Sequence, residues 1–108
     1  MNMNYYQELA LETSVYDRDL AVIYPAMGLA GEVGEVLNKI KKVYRDDGGE
    51  MTFEQREGIA KELGDVMWYL ANLASDLNVT LAECASGNLS KLASRKSRGV
   101  LGGSGDDR

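Results

Sequence analysis

Gly31-Glu32-Val33-Gly34-Glu35 and, later in the chain, Glu62-Leu63-Gly64-Asp65 repeat one arrangement: two carboxylates three residues apart with a glycine between them. On a helix, residues i and i+3 share a face, so each pair presents both acids together. Both pairs lie inside apolar repeats of helical period and border the apolar stripe rather than stand opposite it. Two such helices side by side bring Glu32, Glu35, Glu62 and Asp65 into one place. Four clustered negative charges are tolerable only with cations among them. The expectation is a magnesium site with phosphate chemistry around it. A solitary Glu-x-x-Glu is usually solvated helix surface. The intervening glycines, the sparse basic partners of the first pair and the position beside the stripe argue against that reading here.

Working outward, the first pair belongs to a helix expected from about Pro25 to Tyr44, with Met27, Ala30, Val33, Leu37 and Ile40 as its apolar stripe and Val36 and Val43 widening it. Gly28, Gly31 and Gly34 interrupt it, each costing about 0.5–1 kcal/mol relative to alanine. Close approach of a neighbouring helix or a ligand would offset that cost. The second pair belongs to a helix from about Phe53 to Leu77, started by a Thr52/Gln55 capping box and ended by Asn78. Ile59, Leu63, Val66, Leu70, Leu73 and Leu77 mark one face; Ala60, Met67, Ala71 and Ala74 broaden it, which makes this helix central. A first helix is expected over Met1 to Asp17, capped by Asn4 with Gln7. A fourth runs from about Leu81 to Ser94, capped by Thr80 with Glu83. Residues 97–108 are glycine-rich, a disordered tail or a substrate-induced flap. The chain therefore reads as an all-α, four-helix bundle-like protomer: a domain over residues 1–96 and a tail over 97–108.

Composition narrows the chemistry. The 108 residues carry a net charge of −5 and no histidine. Without a basic excess, a nucleic acid polymer is disfavoured as partner. Without histidine there is no imidazole base and no zinc site of the usual His/Cys type, so a metal must take hard oxygen ligands. The single cysteine, Cys84, reads as a buried structural thiol. Neither a secretory signal nor a run of about 18 apolar residues is visible, so a cytoplasmic protein without a membrane span is expected. So short a helical chain buries a modest core, and burial against a second copy is expected.

The fourth helix adds Asn88, Lys91 and Arg95 at i, i+3, i+7, one face carrying an amide, an ammonium and a guanidinium. That set suits phosphate oxygens, although a basic stripe near a helix C-terminus also complements the helix dipole. Lys39 is a further phosphate candidate, or an i, i+4 partner of Glu35. Trp68, one turn beyond Asp65, could flank a nucleobase, but a lone aromatic at this spacing is more often core.

Taken in order, Gly28-Leu29-Ala30-Gly31-Glu32-Val33-Gly34-Glu35, Lys61-Glu62-Leu63-Gly64-Asp65-Val66-Met67-Trp68-Tyr69-Leu70 and Asn88-Leu89-Ser90-Lys91-Leu92-Ala93-Ser94-Arg95 resemble the MazG-like, all-α nucleoside triphosphate pyrophosphohydrolases. The compact length is similar to the single-domain, phage- or mobile-element-type members. The resemblance implies magnesium-dependent, or sometimes manganese-dependent, cleavage of (d)NTP between the α and β phosphates, giving (d)NMP and pyrophosphate. It implies Glu32, Glu35, Glu62 and Asp65 as metal ligands and Asn88, Lys91 and Arg95 as phosphate ligands. It also implies a homodimer or dimer of dimers. With no histidine present, Glu35 or Glu62 would accept the proton of the attacking water. The alternative is a non-catalytic helical module, a nucleotide binder or dimeric adaptor that binds without turnover.

Overall fold

Thr52 and Thr80 each accept a hydrogen bond from the backbone N–H three residues on, while Gln55 and Glu83 return the bond to the cap backbone. Those reciprocal bonds satisfy donors a helix start leaves orphaned. They open two of the four helices in the computed structural model, which describes residues 1–108. The helices are α1 (Met3–Glu12), α2 (Ile23–Asp47), α3 (Phe53–Asp76) and α4 (Leu81–Ser97), with a 3₁₀ turn at Arg18–Leu20 and no strand. The protein is all-α. Gly48, in the left-handed region at φ 62°, ends α2, and Asn78, at φ 59°, follows the end of α3. Both are residue types that tolerate that conformation.

The first helix differs from expectation at both ends. Its cap is Asn2, whose side chain accepts from the Tyr5 N–H. Asn4 reaches across the fold, accepting from the Ala82 N–H at the start of α4. Gln7 does the same from a buried position: its amide nitrogen donates to Ser75 Oγ and the Val79 carbonyl, and its oxygen accepts from the Leu81 N–H. The polar side of α1 thus ties the end of α3 to the beginning of α4.

The short Gly48–Thr52 loop makes α2 and α3 an antiparallel pair, and α1 lies along the other side of α3. Ala10, Ala71, Ala74 and Leu81 form the buried core, with Tyr6, Trp68 and Val79 packed against it. The central role of α3 is as expected, but the covered faces are not. On α2, Val43 is buried and Val36 and Ile40 are half-buried, whereas Met27, Val33 and Leu37 of the expected stripe are exposed. On α3, Leu63, Leu70 and Leu77 are exposed as well. The reason is geometric: both helices are apolar over more than one face, and their neighbours in the protomer, α3 for α2 and α1 with α2 for α3, leave part of that surface uncovered. Cys84 is likewise exposed rather than buried, because α4 packs on α1 and leaves its other sides open.

One buried carboxylate organises the α1–α2 connection. Asp76, with a side chain 1% exposed, accepts from the Tyr16 hydroxyl at 2.7 Å, from Arg18 at 2.9 Å and from the Val22 N–H at 2.9 Å. Val22 caps α2 at φ 71°, a costly conformation for a β-branched residue, and its bond to Asp76 holds it there.

Candidate metal centre

Antiparallel pairing places Glu32 of α2 opposite Glu62 and Asp65 of α3. Carboxylate oxygens of these three residues lie within 4.8 Å of one another. Glu32 and Glu62 are half-buried and Asp65 is exposed. Glu35, one turn along α2, is exposed and lies outside this trio. Burial pushes the Glu32 carboxyl above its ordinary range, reinforced by the neighbouring carboxylates of Glu62, Asp65 and Glu35. Lys39 supplies the cation paired with the trio, its Nζ 3.5 Å from Glu62. Its ammonium passes over Gly58, 3.6 Å from where a Cβ would stand. Lys39 also borders an open cavity of about 520 Å³ together with Lys42, Asp47, Thr52 and Gln55.

Like charges at this spacing repel by about 1 kcal/mol per pair even in water, and one lysine does not balance three acids. Hard oxygen donors, an excess of negative charge and the absence of histidine fit a divalent cation such as magnesium or manganese.

Two tyrosines that sequence reasoning left without a role stand beside the cluster. The Tyr69 hydroxyl is raised first by burial, then by Tyr24, Glu32 and Asp65. The Tyr6 hydroxyl is raised by burial and by Asp65. The Tyr69 ring lies against the backbone of Gly28, where an added Cβ would stand only 2.1 Å from it. Of the three glycines expected to meet a neighbour, Gly28 does; Gly31 and Gly34 have nothing within 4 Å. An aromatic row runs on from Tyr69: Trp68 meets it edge-on at 5.0 Å, Tyr24 lies at 6.3 Å, and Tyr16 stacks on Tyr24 at 4.7 Å. The signal that could have found Tyr69 was its i, i+4 spacing from Asp65. Trp68 faces α1, its indole N–H donating to Thr13 Oγ1 at 2.7 Å.

On α4, Lys91 and Arg95 share a partner. Asp106 of the tail accepts from Lys91 Nζ at 2.8 Å, and Arg95 Nη2 donates to both the Asp106 carboxylate and its carbonyl. Asn88, one turn before, is exposed. No ion pair joins Lys91 or Arg95 to the Glu32–Glu62–Asp65 cluster within the protomer. No helix is long and apolar enough to cross a membrane.

Comparison with known proteins agrees with these elements. Residues 25–100, which span both acidic pairs and the basic stripe of α4, match the MazG nucleotide pyrophosphohydrolase domain. The chain is also similar over its whole length to a protein of Mycobacterium phage L5, named only "Gene 37 protein": the two are 47% identical over 114 aligned positions, with 100% of each covered. No solved structure matches significantly. A match over most of the chain and a phage relative of the same extent place this protein in the MazG nucleotide pyrophosphohydrolase family.

Proposed function

We propose that the protein hydrolyses a (d)NTP at the α–β phosphate bond, releasing (d)NMP and pyrophosphate, with magnesium, or manganese in its place, as cofactor. The observation that carries this reading is the meeting of Glu32, Glu62 and Asp65 from two helices in a chain of this family. Those three residues would hold the metal, and Glu35, one turn along α2, would stand beside it. Bound divalent cations would neutralise the phosphates and acidify a water.

The chain's own residues divide the remaining work. Glu62 is paired with Lys39 and lies beside Glu32, which suits a ligand. Glu35 is exposed and outside the trio, which suits the residue that accepts the water proton. Lys39 and Lys42 line the adjoining cavity, where Asp47 and Glu54 match their charge, and would offer ammonium donors to phosphate oxygens; Asn88, Lys91 and Arg95 would offer an amide, an ammonium and a guanidinium on α4. Trp68, fixed by Thr13, acts on the nucleotide through the aromatic row, in which Tyr69 stands nearest the acids.

Oligomerisation completes the protomer in this reading. Lys91 and Arg95 have no contact with the acidic trio in one chain, so a homodimer or dimer of dimers would supply the α4 stripe to the centre. The test is product analysis by anion exchange or phosphorus NMR with each dNTP and magnesium. Stoichiometric dNMP and pyrophosphate support the proposal. Orthophosphate from the first turnovers would mean that another bond is cut, and tight dNTP binding without products would make the protein a binding module.

A further inference from the structure

The tail beyond α4 is folded back, and its folding is specific. Arg108 gathers four carbonyls, donating to Val100 at 3.2 Å, Leu101 at 3.1 Å, Gly102 at 3.0 Å and Gly105 at 2.6 Å. Arg98 closes the loop by donating to the Arg108 carbonyl at 2.8 Å. Gly103 and Gly105, at φ 89° and 90°, make the reversals that a side chain would resist. The loop delivers one carboxylate, Asp106, to Lys91 Nζ at 2.8 Å and Arg95 Nη2 at 3.1 Å.

Arg95 is an unusual partner for a tail. Its side chain is 7% exposed, while Asp106 is 78% exposed, so a solvated acid meets a buried guanidinium. The match is also incomplete. Asp106 engages only one arm of the fork, and Arg95 Nε is buried with no hydrogen-bond partner. A planar fork favours two parallel bonds to one anion. A phosphate, with three oxygens, satisfies more of it than this carboxylate does.

We propose that the 99–108 loop is an intramolecular competitor: Asp106 occupies the Lys91–Arg95 anion site and must leave before a phosphate group can bind there. The proposal rests on the reading of Lys91 and Arg95 as phosphate ligands. The loop lowers apparent affinity by the fraction of molecules in which it is closed. Because the carboxylate is exposed, its hold is weak enough for substrate to displace it.

The test is calorimetric titration of the full chain with inorganic pyrophosphate, alongside dNTP kinetics. Asp106→Asn is expected to tighten pyrophosphate binding about two- to fivefold and to lower KM by a similar factor, the range for releasing an exposed ion pair. Arg108→Ala, which unties the loop without touching the acid, is expected to act in the same direction. Asp107→Asn, at a carboxylate with no ion pair, leaves both values in place. In a Lys91→Ala background the gain from Asp106→Asn shrinks. If Lys91→Ala weakens pyrophosphate binding but Asp106→Asn does not strengthen it, the competitor is overturned and the phosphate site stands. If Lys91→Ala changes nothing, the phosphate site itself is wrong. A lower melting temperature of Asp106→Asn with unchanged affinity would make the loop a mere brace for α4.

Discussion

Single residues carry the chemistry here through the company they keep. Glu35 and Asp65 are the same kind of group in different settings, one outside the trio and one within it. Glu35→Gln is therefore expected to cut kcat by about 10²–10⁴-fold, the usual worth of a positioned proton acceptor, while magnesium still raises the melting temperature. Asp65→Asn is expected to abolish both turnover and that magnesium-dependent rise, because a ligand that binds only the folded state stabilises it by mass action. A calorimetric melt with and without magnesium separates the two roles, and equal behaviour of both variants would refute the division. Asp76 is a structural counterpart. Burial pushes its carboxyl up, but bonds from Val22, Tyr16 and Arg18 outweigh that and leave it below the usual carboxylate range. A depressed folded pKa stabilises the fold above the unfolded value of about 3.9 and is lost as pH falls through the folded one. Asp76→Ala is expected to cost about 1–3 kcal/mol near pH 7. The deficit relative to wild type should narrow below about pH 4; a deficit constant from pH 7 to 2.5 in urea melts would contradict this.

Among elements, α2 shows how one helix treats similar residues differently. Gly28 touches the Tyr69 ring and Gly31 touches nothing. Gly28→Ala is expected to destabilise by about 1–3 kcal/mol through overpacking and to lower activity by moving Tyr69 from the acids. Gly31→Ala is expected to stabilise the monomer's helix by about 0.4–1 kcal/mol. If Gly31→Ala instead destabilises, a second copy packs against that face. Capping boxes at Thr52 and Thr80 were legible in the sequence because cap and partner are three residues apart. The cap of α1 was not: Asn4 reads as a local cap, but its oxygen serves Ala82, and only a contact distant in sequence reveals that. The same limit applied to the buried faces of α2 and α3, since periodicity reports an apolar face without saying which neighbour covers it.

At the scale of the molecule, one protomer is unusually open. Its radius of gyration is 16.9 Å, against about 13 Å for a chain of this length folded on its own core. Its accessible surface is 7595 Å², where a monomer of its mass would expose about 5,900 Å². Met27 and Leu37 on α2 and Leu63 and Met67 on α3 remain exposed. We expect sedimentation to show a dimer or larger assembly whose melting temperature rises with concentration. Leu37→Lys should shift it toward monomer and lower turnover together. A monomeric wild type with full activity would refute the expectation and, with it, the supply of the α4 stripe by a partner.

The sequence by itself determined that four helices form, where α3 and α4 start, and that each acidic pair shares a helix face. Those properties depend on neighbours within about one helical turn. Only the tertiary structure decided which acids meet, that Tyr69 and Tyr6 stand beside them, and that Asp106 lies on Lys91 and Arg95. These are juxtapositions of side chains far apart in the chain, set by the antiparallel register of α2 on α3 and the return of the tail over α4, and no local spacing encodes them.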